Sequence, residues 1–213
     1  TIETHLALGV LFRKQGKIDQ AIKLHENIIS KKELKEHHYY QTLEELAEDY
    51  YAAGLYDKSE EIFKKLIDIK NHKNSSLNKL MQIYEYTCEW DKALSTTEKL
   101  NAIDPSNEYK KNIPHYLCQI SEKYIAKNDL ENAELYIDKA KATKSSSSRI
   151  LFVSIQIALK KRELVKAVAL YKKLCEISDL GHQILLPDLI ATAKQNGHIN
   201  QVNGMLQGIC NKS

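Results

Sequence analysis

The apolar positions of the chain fall in paired bursts separated by short polar turns. In the clearest pair, Asp49-Tyr50-Tyr51-Ala52-Ala53 closes one amphipathic segment, Gly54 makes the turn, and Leu55-Tyr56-Asp57-Lys58-Ser59-Glu60-Glu61-Ile62-Phe63 opens the next. Laid against itself, nearly the whole chain repeats this unit. The turn column reads Gly16, Gly54, Cys88, Asn128, Arg162 and Gly197, and the column five residues on reads Ala21, Ser59, Ala93, Ala133, Ala167 and Val202. Four residues before the turn stand Phe12, Tyr50, Tyr84, Tyr124, Ala158 and Ala193, and near the close of the second segment stand Ile28, Leu66, Leu100, Ala140, Leu174 and Ile209. Apolar spacing of three and four within each burst predicts helices, so each copy is a helix, a turn and a helix. The small column places the first helix (A) close to the second (B), with Gly9 and Ala47 facing Ala21 and Ser59, because a bulky side chain there would hold the axes apart.

By the small column, successive copies stand 38, 34, 40, 34 and 35 residues apart. A helical-hairpin period of about 34 is that of the tetratricopeptide repeat, and Pro105 stands after helix B of the third copy, where that repeat often carries a proline. The predicted fold is an all-α tetratricopeptide-repeat solenoid of about six repeats, near 2–37, 40–73, 74–107, 114–147, 148–181 and 183–213, in one domain over 1–213. One hairpin cannot bury both of its faces, so copies stack and stability is a sum over neighbours. Asn74 or Ser75 is expected to cap the third copy, and the run Ser145-Ser146-Ser147-Ser148 to cap the fifth near Arg149. Six extra residues with Pro114 separate the third and fourth copies, and Pro187 belongs near the start of its helix. Thr1 stands already inside a helix A and no capping helix follows Cys210, which reads as a segment of a longer protein.

Composition narrows the class. A chain of 213 residues, 43% hydrophobic and 28% charged with seven Gly and three Pro, suits a folded all-helical protein. No apolar run of about 18 residues and no signal-peptide order is present, so the chain as written is expected to be soluble. Thirty-one basic against 28 acidic side chains give +3, which offers no overall attraction for nucleic acid. The alternating charges of Lys31 to His38 suit a solvated loop, and Trp90 suits packing. Cys88, Cys118, Cys175 and Cys210 never form a Cys-x-x-Cys pair, and Cys175 and Cys210 occupy one column of adjacent repeats, too far apart for a disulfide. They are expected to be reduced. No metal site or cofactor is expected: His37 and His38 cannot share a helix face. Phosphate-loop, serine-nucleophile and zinc-protease signatures are absent, so the chain is expected not to be an enzyme.

What such a stack offers is a row of A-helix side chains that do not pack on the next repeat. Register places Arg13, Glu44, Glu48, Tyr51, Asn78, Gln82, Glu85, His115, Glu122, Arg149 and Gln156 there as candidate partner-binding residues. Repeats of this kind that clamp a terminal carboxylate use a fixed Asn column, which here reads Val10, Glu48, Gln82 and Glu122. That ligand is disfavoured.

Three segments go further than repeat packing requires. Glu3-Thr4-His5-Leu6-Ala7-Leu8-Gly9-Val10-Leu11-Phe12-Arg13 with Gly16, Asp19, Ala21, Ile22 and His25 is one; Asp49-Tyr50 and Ala52-Ala53-Gly54-Leu55-Tyr56-Asp57 with Glu60 and Phe63 is the second. The third is Gln82-Ile83-Tyr84 with Glu89-Trp90 and Lys92-Ala93, followed by His115 with Cys118, and Ser148-Arg149 with Ala167-Val168 extends it. In this order they resemble the lipopolysaccharide assembly protein B (LapB, also YciM) family of Gram-negative bacteria. The resemblance implies a regulatory scaffold on the cytoplasmic face of the inner membrane that promotes degradation of the deacetylase LpxC by the membrane protease FtsH, both as protein partners. It implies an N-terminal membrane helix and a C-terminal rubredoxin-like iron or zinc domain, neither of which lies in this chain; none of its metal cysteines corresponds to the four cysteines here. A homodimer is compatible with it. The alternative reading is a generic peptide-binding module in secretion, pilus or envelope assembly; an RNA-binding repeat protein would need clustered Lys and Arg.

Overall fold

A computed structural model describes residues 1–31, 33–105, 108–143, 147–177, 181–200 and 202–204, with 181 and 182 by backbone alone. Eleven α-helices and no strand occur among them: α1 (Ile2–Lys14), α2 (Ile18–Ile29), α3 (Glu36–Ala52), α4 (Tyr56–Leu66), α5 (Lys73–Tyr86), α6 (Trp90–Ile103), α7 (Ile113–Ala126), α8 (Leu130–Ala142), α9 (Ser148–Lys160), α10 (Leu164–Ile177) and α11 (Gly181–Gln195). Two compact units divide the chain, Thr1–Glu108 and Tyr109–Ser213. The division falls in the insertion between the third and fourth copies, where a 3-10 helix covers Glu108–Asn112.

In the first unit α1/α2, α3/α4 and α5/α6 form hairpins, and in the second α7/α8 and α9/α10 do, with α11 packed on α9 and α10. The turn column explains why each hairpin closes alike. Gly16, Gly54 and Gly197 have φ of 75°, 74° and 71°, and Cys88, Asn128 and Arg162 have φ of 58°, 58° and 61°. This left-handed residue lets the next N–H reach back to the carbonyl five residues earlier: Lys17 to Phe12, Leu55 to Tyr50, Glu89 to Tyr84, Asp129 to Tyr124, Glu163 to Ala158 and His198 to Ala193, all at 2.8–3.0 Å. Such bonds satisfy carbonyls that a helix end leaves open.

The small column is where the hairpins close. Ala21, Ser59, Ala93, Ala133 and Ala167 have no exposed surface and Val202 has 2%. Ser59 also donates its hydroxyl to the Ala47 carbonyl at 2.8 Å, and Ser121 donates to the Ala133 carbonyl at 2.7 Å, so the A and B backbones approach to within one side-chain oxygen. Ile28, Leu66, Leu100, Ala140 and Leu174 are buried as the register requires; Leu206, Ile209 and Cys210 lie outside the described residues.

Several local expectations change. Helix α5 starts at Lys73 with His72 at its N-cap and no side-chain cap bond, which puts Asn74 and Ser75 inside the first turn. The Ser75 hydroxyl instead donates to Glu44 Oε1 at 2.5 Å. Ser147 does cap α9, accepting from the Arg149 N–H at 3.2 Å; Ser145 and Ser146 lie outside the described residues. Pro187 is the seventh residue of α11, inside the helix rather than at its start. Gly9 meets a larger neighbour than Ala21: the imidazole of His25, fully buried, fills the space over it.

Candidate functional site

The candidate side chains lie on α1, α3, α5, α7 and α9; most of those in the first unit, and Glu122 and Arg149 in the second, are tied to a neighbouring A helix. Arg13 of α1 donates to α3 at three points: Glu45 Oε2 at 2.6 Å, the Glu45 carbonyl at 3.1 Å and Asp49 Oδ1 at 2.5 Å. Burial alone would lower the Arg13 pKa, but the bonds to Glu45 and Asp49 outweigh it and raise it. Asp49 is fully buried, and its second oxygen lies 2.5 Å from His25 Nδ1. Arg13, Asp49 and His25 thus join α1, α2 and α3 through one polar network, for which a buried carboxylate needs such partners.

Across α3 and α5 the pattern continues. Glu44 lies 2.7 Å from His72 Nδ1 and takes the Ser75 hydroxyl. Glu48 pairs with Lys79 at 2.9 Å, and the Lys79 ammonium stands 5.3 Å from the centre of the Tyr51 ring. Tyr51 meets Tyr56 edge-on at 5.6 Å, and Tyr56 lies 4.7 Å from the exposed Tyr86. Gln82 and Glu85 are half-buried, and the Asn78 side-chain oxygen is buried with no hydrogen-bond partner among the described residues.

In the second unit Arg149 of α9 donates to Glu122 of α7 at 2.6 Å and covers Phe152, its guanidinium 5.8 Å from the ring centre. His115 is exposed, its ring edge-on to Tyr116 at 6.0 Å. Gln156 lines a groove of about 390 Å³ formed by α7, α9 and α11.

The structure therefore brings Glu48 beside Tyr51 through Lys79, and Glu122 beside Arg149, whereas Arg13 and Glu44 are committed to holding neighbouring helices. Sequence reading missed three things. One is the His25–Asp49 pair. Another is that Tyr50 donates to Glu26 at 2.8 Å and Tyr84 to Glu60 at 3.0 Å, each across 24 residues, with Lys58 and Lys92 over the two rings. That equal separation was the available signal. The third is the groove, which no single column marks. Among the described residues no group of three His, Cys, Asp or Glu side chains is placed to hold a metal ion, and no helix is long and apolar enough to cross a membrane.

The family model described as tetratricopeptide repeat matches residues 4–37. Lipopolysaccharide assembly protein B of Escherichia coli K12 is 33% identical over 168 residues, covering 79% of this chain and 43% of that protein. The Haemophilus influenzae protein of the same name is 26% identical over 186 residues, covering 87% of this chain and 46% of that one. The chain is a tetratricopeptide-repeat relative of LapB. It spans less than half the length of the curated LapB proteins it matches. Among solved structures, the C-terminal part of a repeat protein from Cytophaga hutchinsonii has a TM-score of 0.54 at 15% identity, covering 97% of this chain and 80% of that one. A tetratricopeptide repeat protein from Parabacteroides merdae gives 0.53 at 15% identity, covering 100% of this chain and 80% of that one. These two share the fold, and the LapB likeness is the more specific relation, as the Glu3–Arg13 and Asp49–Phe63 segments imply.

Proposed function

We propose that this LapB relative is the repeat portion of a non-enzymatic adaptor that limits lipopolysaccharide synthesis by promoting degradation of the deacetylase LpxC by the protease FtsH. The observation that carries the reading is the 33% identity to LapB over 79% of the chain. Stacked helical hairpins support it, since they present long rows of side chains to a protein partner. Ion pairs and hydrogen bonds between neighbouring A helices hold the stack that a partner would meet. In the full-length protein the segment would work at the cytoplasmic face of the inner membrane, with the membrane helix and the rubredoxin-like iron or zinc domain supplied from outside this chain.

The test is a chase of LpxC after translation is blocked, in cells of the source organism depleted of the full-length protein and in the same cells with it restored. Depletion should lengthen the LpxC half-life several-fold and restoration should return it. An LpxC half-life that ignores both would overturn the proposal.

A further inference from the structure

The formal +3 of the whole chain hides a division of charge between its two units. Thr1–Glu108 holds 15 Lys and Arg against 19 Asp and Glu, a net of −4, while Tyr109–Ser213 holds 16 against 9, a net of +7. In the first unit Arg13 is paired with Glu45 and Asp49, and Lys79 with Glu48. In the second unit Arg149, Lys161 and Lys166 are paired with Glu122, Glu134 and Glu163. Among the exposed cations of this unit that form no ion pair with the described residues are Lys160, Arg162 and Lys194.

Two of these three line the groove of about 390 Å³ between α7, α9 and α11. Lys160 ends α9 and Arg162 stands in the turn that follows, while Lys194 lies in the last turn of α11, next to the lining residue Gln195. Ile125, Leu159 and Ala191 supply an apolar wall, and the amides of Gln156 and Gln195 supply donors and acceptors. Asp188 is the one carboxylate among the described lining residues, and the Thr192 hydroxyl is already given to the Asp188 carbonyl at 2.8 Å.

We propose that this groove binds an acidic, extended segment of a partner protein, its side-chain carboxylates on Lys160 and Arg162 and its main chain on the amides of Gln156 and Gln195. The proposal rests on the adaptor reading and gives it a partner chemistry. Unpaired cations set along a concave surface focus their field and draw carboxylates more strongly than the same cations scattered on open surface. An amide row fits the alternating donors and acceptors of an extended main chain. A nucleic acid fits less well: none of the described lining residues is aromatic, so none of them stacks a base, and two cations neutralise too few phosphates for binding carried by the backbone.

The experiment uses the 213-residue chain on an array of C-terminally amidated dodecapeptides with graded numbers of Asp and Glu on a Leu/Ala background, each beside its Asn/Gln counterpart. Amidation removes the terminal carboxylate, so only side-chain acids can score. Binding should rise with the number of acids and fall about tenfold in the Asn/Gln counterparts. The variants K160E/R162E and K160Q/R162Q change exposed side chains and should keep the parent's helical melt while losing about tenfold in affinity for the acidic peptides. Equal binding of acidic and neutral peptides, no binding of any peptide, parental affinity in a folded variant, or tighter binding of a single-stranded oligonucleotide at the same salt would each overturn the proposal. The LpxC chase fails or succeeds independently. A groove that ignores acids beside an LpxC half-life that responds removes only the groove, and the opposite pair of results removes only the LpxC reading.

Discussion

Replacing Gly9 by alanine puts two effects of opposite sign in competition, and the structure decides which prevails. Alanine is about 1 kcal/mol better than glycine inside a helix, so on propensity alone the change should stabilise α1. A Cβ on Gly9, however, would stand 2.5 Å from His25 Cε1 and 3.0 Å from Cδ2, and closer still to Nε2. The imidazole is the end of a side chain, but it cannot swing away cheaply: it is fully buried and its Nδ1 is held 2.5 Å from Asp49. Turning it costs a hydrogen bond to a charged group, about 1.5–3 kcal/mol; keeping it forces α1 from α2 and overpacks the crossing at about 1–3 kcal/mol. Subtracting the propensity gain leaves a net loss of up to about 2 kcal/mol. Urea unfolding followed by helical circular dichroism measures it. The decisive control is the same change in a His25→Ala background, where the obstacle is gone and the substitution should gain about 1 kcal/mol from propensity. A stabilising Gly9→Ala in the parent, or the same effect in both backgrounds, would refute the claim that Gly9 exists to seat His25.

The register of the fold was legible because each column answers to a constraint that sequence records directly. Only a small side chain fits where Ala21, Ala93 and Ala133 stand, and the left-handed turn calls for Gly16, Gly54 and Gly197. Cys88 and Arg162 take the same left-handed conformation, and their place was read from period rather than from residue type. Helix starts were harder. Asn74 and Ser75 have the right chemistry for a cap, yet the Ser75 hydroxyl is drawn to Glu44 by a charge on another helix, and nothing local in the sequence encodes that competition.

The candidate surface was legible as a row and not as a set of free groups. Register says that Arg13, Glu44, Glu48 and Arg149 leave the hairpin core; it does not say that the adjacent A helix supplies Asp49, His72, Lys79 and Glu122 to meet them. A partner that used Glu48 would first have to displace Lys79 from a half-buried pair, and an exchange of one surface ion pair for another gains at most about 1 kcal/mol. Unpaired groups are the better recruits, which moves attention from the carboxylates of the first unit to Lys160 and Arg162. Whole-chain charge concealed them: the surplus of the second unit is cancelled on paper by the deficit of the first, and only the position of the division between Glu108 and Tyr109 separates the two.

Thiol chemistry offers a further check: burial pushes the Cys118 pKa up to about 11, so its thiolate is scarce at neutral pH and native Cys118 should resist iodoacetamide that labels exposed Cys88. Peptide mapping before and after denaturation reads this, and rapid native labelling of Cys118 would show that α7 is not packed as described. The last prediction concerns the turn at Cys88, whose φ of 58° is one that L residues avoid. Left-handed backbone costs a non-glycine residue about 1–2 kcal/mol, and an exposed Cys88 has no buried packing to lose. Glycine returns about 0.4–1 kcal/mol of this through the freer unfolded chain. Cys88→Gly should therefore raise stability by up to about 1.5 kcal/mol, worth a few degrees in a thermal melt. Gly54→Ala is the mirror experiment: φ there is 74° and a Cβ would meet nothing within 4 Å, so any loss is backbone strain alone. A Cys88→Gly melt that falls, or a Gly54→Ala melt that does not, would mean that the common left-handed turn is not what sets the stability of these hairpins.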